Sequence, residues 1–284
     1  MAFTQKHLDF TFELAQGNFG QGGNKAEVKG HRATVDIDQP GGADMSKAAI
    51  AIWGMPLQLM NQLTTLGNDI NAIGKNFVSI QAYEDGGQKS YVYKGTIMAA
   101  YADLRAQPQG CFRVEALVGY YEAVMPATPT SAPGSQDVAQ LFKQIADKAE
   151  LQFENNGVNV KVANPYLPGN PRVQMKTLAQ MAGVEWLIDR GKLAIWKAQK
   201  PRQGGPAMIS ADTGMVNYPT FNSSGIEVTT LYNPQVQYGG QITVKSQLTP
   251  ACGDWYVYHV FHALDAELPN GRWFSTLSCS RTKT

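Results

Sequence analysis

Ala49-Ile50-Ala51-Ile52-Trp53-Gly54-Met55-Pro56 runs directly into Leu57-Gln58-Leu59-Met60-Asn61-Gln62-Leu63-Thr64-Thr65-Leu66-Gly67. The apolar, partly β-branched first half reads as a half-buried strand. Gly54 and Pro56 break it, Pro56 suits the first turn of a helix and Gly67 its end. Leu59, Met60, Leu63 and Leu66 share one face at helical spacing, so a strand is expected to turn sharply into a short amphipathic helix.

Strand signals surround this unit. His7 to Leu14 alternates Leu8, Phe10, Phe12 and Leu14 against polar neighbours, and His31 to Ile37 alternates again. Phe77–Tyr83 and Ser90–Gly95 flank Glu84-Asp85-Gly86-Gly87, a hairpin signature because glycine accepts positive φ. Further strands are expected at Thr96–Leu104 and Cys111–Tyr120, joined through Gln107-Pro108-Gln109-Gly110. Short strands at even spacing suggest a barrel or sandwich. Gly17 to Gly23 superficially resembles a phosphate loop, but it lacks the Lys-Ser/Thr ending and reads as a surface turn.

Pro126 to Pro133 holds three prolines in eight residues and reads as an extended linker. Beyond it Ser135 is a candidate N-cap for a helix whose Val138, Leu141, Phe142, Ile145 and Ala149 form one apolar face. Leu151–Glu154 and Val158–Val162 are expected to pair as a hairpin through Asn155-Asn156-Gly157. A second helix around Val173–Met181 ends at Gly183, and Val184–Ile188 pairs with Lys192–Trp196 across Asp189-Arg190-Gly191. This predicts a compact α+β segment, αββ twice, over residues 135–198, closed by a second linker at 199–206. From Ile209 four strands are expected, at Gly225–Leu231, Gln241–Lys245, Asp254–Ala263 and Arg272–Ser278, with a turn at Leu268-Pro269-Asn270-Gly271. The predicted organisation is mainly β within an α+β class: β-barrel-like regions at 1–125 and 207–284, a linker at 126–134, and the small α+β domain between them.

Composition bounds the function. The chain of 284 residues is 43% hydrophobic and 17% charged, which indicates folded domains with a lightly charged surface. A net charge of +1, from 24 basic and 23 acidic residues, argues against binding nucleic acid by phosphate neutralisation. The densest basic stretch, Lys192 to Arg202, reads as a solvated linker. Three cysteines, Cys111, Cys252 and Cys279, lack CxxC spacing, so no disulfide framework is expected. Met1 to His7 shows no secretory pattern and no apolar run approaches the roughly 20 residues of a membrane span, so synthesis and folding in a cytoplasm are expected.

Candidate chemistry is sparse. His259 and His262, with Asp265 following, are the nearest approach to a metal set, but strand residues three apart point to opposite faces. Glu13, Asp36, Asp38 and Glu115 are carboxylates in β-rich sequence, and a glycosidase needs two of them facing across a cleft. Trp53, Trp186, Trp196, Trp255 and Trp273 read as core residues before sugar- or base-stacking ones, and Cys111 as a small buried side chain. No catalytic, cofactor-binding or metal residue is assigned, no cofactor is expected, and the residues of any oligomer interface stay unassigned.

Taken in order, Ile50–Gly67, Tyr93-Lys94-Gly95-Thr96-Ile97, the linker with its α+β insert, and His262-Ala263-Leu264-Asp265 through Pro269-Asn270-Gly271-Arg272-Trp273-Phe274-Ser275-Thr276 resemble the tail baseplate hub proteins of bacteriophages. The resemblance spans most of the chain. It implies two related barrels with a peripheral insert, and three copies forming a ring whose six barrels match a six-fold tail tube. It also implies partners on both faces: tail tube, distal tail or tape measure protein on one, the central spike on the other, with DNA passing through and no membrane insertion. The implied location is the virion tail, after assembly in the host cytoplasm. Lytic domains of some relatives have no evident counterpart, so the expected role is structural. The alternatives are a peptidoglycan-binding or -degrading tail component that grips glycan through Trp186 and Trp196, and a strand-addition adaptor of a related contractile or secretion machine.

Overall fold

The structure, a computed structural model, describes residues 4–14, 19, 23–41, 44–64, 76–105, 108–198 and 200–281. Leu66, Gly67, Gln107, Gln199 and most of the 17–23 turn, on which expectations rested, lie outside the described residues.

The N-terminal region comprises β1 (Lys6–Glu13), β2 (Lys25–Val28), β3 (Ala33–Gln39), β4 (Lys47–Trp53), α1 (Leu57–Leu63), β5 (Phe77–Glu84), β6 (Ser90–Asp103), β7 (Cys111–Leu117) and α2 (Tyr120–Val124). The strand-to-helix turn forms where the sequence places it. Gly54 takes φ +79°, and the Pro56 carbonyl accepts from Leu59 and Met60. Met60 and Leu63 are buried. The helix stops at Thr64, whose backbone turns extended while its hydroxyl and N–H both donate to the Met60 carbonyl. The two strands expected at Ser90–Gly95 and Thr96–Leu104 are one, β6, which accommodates its partner β7 through a bulge between Ile97 and Ala99. Tyr120 leaves the strand expected to hold it, because Gly119 at φ +77° turns the chain into α2.

The central region comprises β8 (Thr130–Ser131), β9 (Ser135–Asp137), α3 (Val138–Lys148), β10 (Gln152–Asn156), β11 (Lys161–Ala163), β12 (Tyr166–Leu167), α4 (Pro171–Ala182), β13 (Val184–Asp189) and β14 (Lys192–Lys197). Asp137, not Ser135, caps α3 by accepting from the Gln140 N–H at 3.0 Å. Asn170 caps α4, Pro171 begins it, and Gly183 in the left-handed region ends it. The β13–β14 hairpin turns on Arg190 and Gly191 at φ +50° and +77°.

The hairpin expected across Asn155-Asn156-Gly157 does not form. The Asn155 side chain bonds both the N–H and the carbonyl of Val158, and Asn156 donates to the Ile195 carbonyl while accepting from the Gln203 N–H. β10 is thereby held parallel to β14, and β11 pairs β9 instead. The linkers are not free spacers either. β8 pairs β12, and the buried Thr130 donates to Gln174 at 2.7 Å.

The C-terminal region comprises β15 (Ala207–Ile209), β16 (Met215–Asn222), β17 (Gly225–Leu231), β18 (Gln241–Val244), β19 (Gly253–Ala266) and β20 (Trp273–Arg281). The sequence reading missed β16, whose Pro219 and exposed side chains weaken its pattern.

Thirteen strands join in one sheet, ordered β16-β17-β20-β19-β3-β4-β7-β6-β5-β1-β2, with β18 on β19 and β15 on β18. The chain is thus mainly β. Its ladder is an open path among the described residues and closes into neither of the two expected barrels. The join is antiparallel β3–β19, from Ala33↔Ala266 to Gln39↔Val260. One further backbone bond, from Glu267 N–H to the Lys6 carbonyl at 3.2 Å, brings the end of β19 to the start of β1.

Two apolar cores result. The first contains Leu8, Phe10, Phe12, Ile37 and Phe112 and continues into Phe142, Ile145 and Leu178 of the central helices. The second contains Trp196, Ile226, Val228, Trp255, Val257 and Cys279. β19 serves both: Val257 and Val260 lie in the second, Leu264 and Ala266 in the first, with a bulge between Val257 and His259 on the β20 side.

Leu264→Ala empties a fully buried position on the joining strand, and should cost about 2–5 kcal/mol. Leu57→Ala, at a site 56% exposed, should cost about 0.5 kcal/mol or less. Urea unfolding of the two variants checks both values.

Candidate assembly surface

The two ends of the long strand path differ in chemistry. β2, at one end, carries charge: Lys25 pairs with Glu13, and Glu27 with Lys29 just beyond the strand. Such charges guard an edge against strand addition. β16, at the other end, has no charged residue in Met215–Asn222. Tyr218 is 61% and Phe221 55% exposed. Its ladder with β17 shifts register between Val216 and Thr220, around Asn217 at φ +64° and Pro219. An uncharged edge with exposed aromatic rings, interrupted by a proline that rejects indiscriminate pairing, suits one shaped partner.

At the seam between the N- and C-terminal regions, His7 lies between two carboxylates. Its Nε2 is 2.7 Å from Asp85 and its Nδ1 2.6 Å from Glu267, and its ring stacks on Tyr83 at 4.9 Å. Gln5 donates to Glu267, and Lys6 pairs with Glu84, which also accepts from the Thr4 hydroxyl. Beside this latch a cleft of about 860 Å³ is lined by Leu231, Leu268, Pro269, Trp273 and Phe274. Burial opposes protonation of His7, but the hydrogen bonds to Asp85 and Glu267 outweigh it and raise its pKa. For Glu84 burial works upward, and the bonds from Lys6 and Thr4 bring the net shift below its ordinary value.

The sequence-level candidates occupy separate places. His259 is partly exposed and bonds Asp38 at 2.6 Å, whereas His262 is buried against the Ser275 hydroxyl at 2.8 Å. Burial pushes His262 down to about 3, with Arg190 adding to the effect, so it is neutral. Asp265 accepts from the backbone N–H and guanidinium of Arg272. Among the described residues no His, Cys, Asp and Glu group is arranged to hold a metal ion. Each candidate carboxylate has a side-chain partner: Glu13 pairs with Lys25 and Glu115 with Lys47, Asp36 shares Arg272 with Asp265, and Asp38 bonds the His259 ring. Trp186, Trp196, Trp255 and Trp273 are buried. Trp53 is partly buried, donates to the Gln109 carbonyl and lies under Arg32. Cys111 is buried, and all three cysteines are free. Burial pushes the Cys279 thiol up to about 12.

Sequence reading missed two buried groups. Asp9 lies on a strand face that its alternation marks as polar, yet it is 3% exposed, bonded by Lys89 at 2.5 Å and by the Tyr83 hydroxyl. Arg202, expected in a solvated linker, is buried, pairs with Glu154 at 2.9 Å, and stacks 5.6 Å from the centre of the Trp196 ring. Neither has a local sequence signal, because the partners lie 80 and 48 residues away.

Residues 32–266 match the profile of a protein family described as Baseplate hub gp41. The fold is similar to that of a tail protein from Neisseria meningitidis MC58, with a TM-score of 0.62 and 10% identity, covering 98% of this chain and 97% of that one. It is also similar to a 43 kDa tail protein of prophage MuSo2 from Shewanella oneidensis, with a TM-score of 0.59 and 11% identity over 99% and 97% of the two chains. An Escherichia coli protein, c3393, has a TM-score of 0.58 and 8% identity over 89% of this chain and 74% of its own. That protein is described as a component of the type VI secretion system with structural similarity to the T4 tail proteins gp27 and gp5. No curated protein sequence matches the chain.

The latch sets a pH dependence. Because His7 has a raised folded pKa, its stabilisation is full below the ordinary value of 6.5 and is lost as pH rises through the folded value. Because Glu84 has a lowered one, its stabilisation is present above 4.5 and is lost as pH falls through the folded value. The unfolding midpoint should therefore decline above pH 6.5 in the parent, and less steeply in His7→Gln, which thermal unfolding across a pH series will show.

Proposed function

The chain belongs to the baseplate hub gp41 family, and from that premise we propose that it is the structural hub of a phage tail, three copies forming a ring that joins the tail tube to the central spike. The observation that carries this reading is the family match over residues 32–266, on a fold similar to phage tail proteins along nearly the full length of both chains. Membership places the protein in the virion tail. The remaining elements of the proposal are assembly in the host cytoplasm, contact with the tube or distal tail and tape measure proteins on one face, and passage of DNA without specific binding. The hub acts by assembly and not by catalysis.

In this reading residues 1–125 and 207–284 act as two barrel-like units joined through β3–β19, and residues 135–198 as the peripheral insert between the linkers at 126–134 and 199–206. The Glu267–Lys6 bond adds a second link between the two units, since it brings the end of β19 to β1. β16 is the edge we assign to the contact between copies, because it is uncharged and offers Tyr218 and Phe221. A glycan grip through Trp186 and Trp196 gains no support, since both rings are buried.

Light scattering of the purified protein, alone and with the spike protein of the same tail, tests the hub. A trimer in either condition supports it, and a persistent monomer in both overturns it. Tyr218→Glu combined with Phe221→Glu should abolish the trimer while leaving the thermal midpoint of the isolated chain within about 2 °C, as expected of exposed sites.

A further inference from the structure

Where the N-terminal strands of the large sheet, the central insert and the segment before β18 meet, a cleft of about 590 Å³ is lined mainly by polar and charged side chains. Five cations face it, Lys25, Lys94, Arg190, Lys192 and Arg202, against three carboxylates. The carboxylates are committed: Glu13 to Lys25, Asp189 to Arg190 and Glu154 to Arg202. Lys94 and Lys192 form no salt bridge with any described residue; the Lys94 ammonium lies 5.3 Å from the centre of the Phe77 ring, and Lys192 acts on Glu154 from beyond salt-bridge distance. They converge on one turn, since the Lys94 ammonium packs 3.9 Å from where a Cβ on Gly191 would stand, between Arg190 and Lys192. A second, independent observation lies at the same cleft. Arg202, only 6% exposed, has a buried Nε without a hydrogen-bond partner among the described residues. A buried guanidinium N–H left unmet is costly, and two ammonium groups without salt bridges line the same cleft, which makes it attractive to negative charge.

We propose that this cleft binds a small multivalent oxyanion of the phosphate or sulfate class, bridged by Lys94 from β6 and Lys192 from β14. Such an ion has the charge to answer two ammonium groups that lack a salt-bridge partner and several acceptor oxygens for their donors. Bound there, it ties the insert to β6 of the large sheet, a role independent of the hub assignment and of the number of copies in the assembly.

Isothermal titration of the full chain with inorganic phosphate and with sulfate, at constant ionic strength in chloride, tests the site. One-to-one binding is expected, weakened about ten-fold or more in Lys94→Gln combined with Lys192→Gln, and unchanged in Lys161→Gln on the separate β9–β11 pair. Thermal unfolding in chloride alone should give the double variant the parent's midpoint, which shows that it folds. If Lys94→Gln with Lys192→Gln does not fold, the single variant of exposed Lys192 is read instead, and it too must weaken binding. No heat beyond the chloride control, or equal affinity in parent and variant, means an adventitious ion only and overturns the proposal. A duplex oligonucleotide that binds more tightly than phosphate and competes with it overturns the small-anion assignment.

Discussion

The pairing of β3 with β19 is the constraint on which the rest of the structure depends. It joins residues more than 220 positions apart, and every other strand of the large sheet takes its place from one of these two. β4, β7, β6, β5, β1 and β2 follow outward from β3, and β20, β17 and β16 from β19. The register also decides the outer face. Asp36 and Asp38 stand opposite Ala263 and Phe261, and from there they reach Arg272 and His259. Exposed pairs of this kind contribute little individually. Their consistency with the buried register, in which Leu264 faces Val35, is what selects one alignment, because a slip of one residue would turn both apolar faces outward. Closing so long a loop costs only logarithmically more than closing a short one.

β19 is long because it has two neighbourhoods to satisfy. Its first half closes the second core with Val257 and Val260, and its second half closes the first with Leu264 and Ala266. The central insert is anchored in the same spirit. Phe142 and Ile145 enter the first core. Gln174, fully buried, accepts from Thr130 and donates to the Thr128 and Gly169 carbonyls. A satisfied buried amide fixes position more than it adds stability. An insert so held keeps a fixed position on the first core.

Much of the local structure was legible in particular residues. The alternation of Leu8, Phe10 and Phe12, the stop of α4 at Gly183, and the Arg190-Gly191 turn each carry their cause within a few positions. The failures share one origin. Asn155-Asn156-Gly157 has hairpin chemistry, yet its side chains bond Val158, Ile195 and Gln203. Lys192 to Arg202 reads as a charged linker, yet Arg202 finds Glu154 and the Tyr238 carbonyl. β16 was missed because an exposed edge strand has only one neighbour and little to bury, so its residues escape the period-two rule. The candidate surface was therefore invisible in the sequence even though its aromatic residues were in plain view.

By itself the sequence determined the mainly β class, the α+β segment after the proline-rich stretch, the turns that glycine and asparagine permit, and the resemblance to tail hub proteins that the family match then placed on firm ground. These are local or ordered features, written in periodicity and in residues with special backbone freedom. Only the tertiary structure decided which strands are neighbours, that β19 divides between two cores, that β16 is an uncharged edge where β2 is a charged one, and which cations lack a salt-bridge partner among the described residues. The physical reason is that ladder hydrogen bonds are made by the backbone, which is the same at every residue. Non-local partners are therefore chosen by burial and charge pairing summed over the whole sheet, quantities that exist only once the chain has folded.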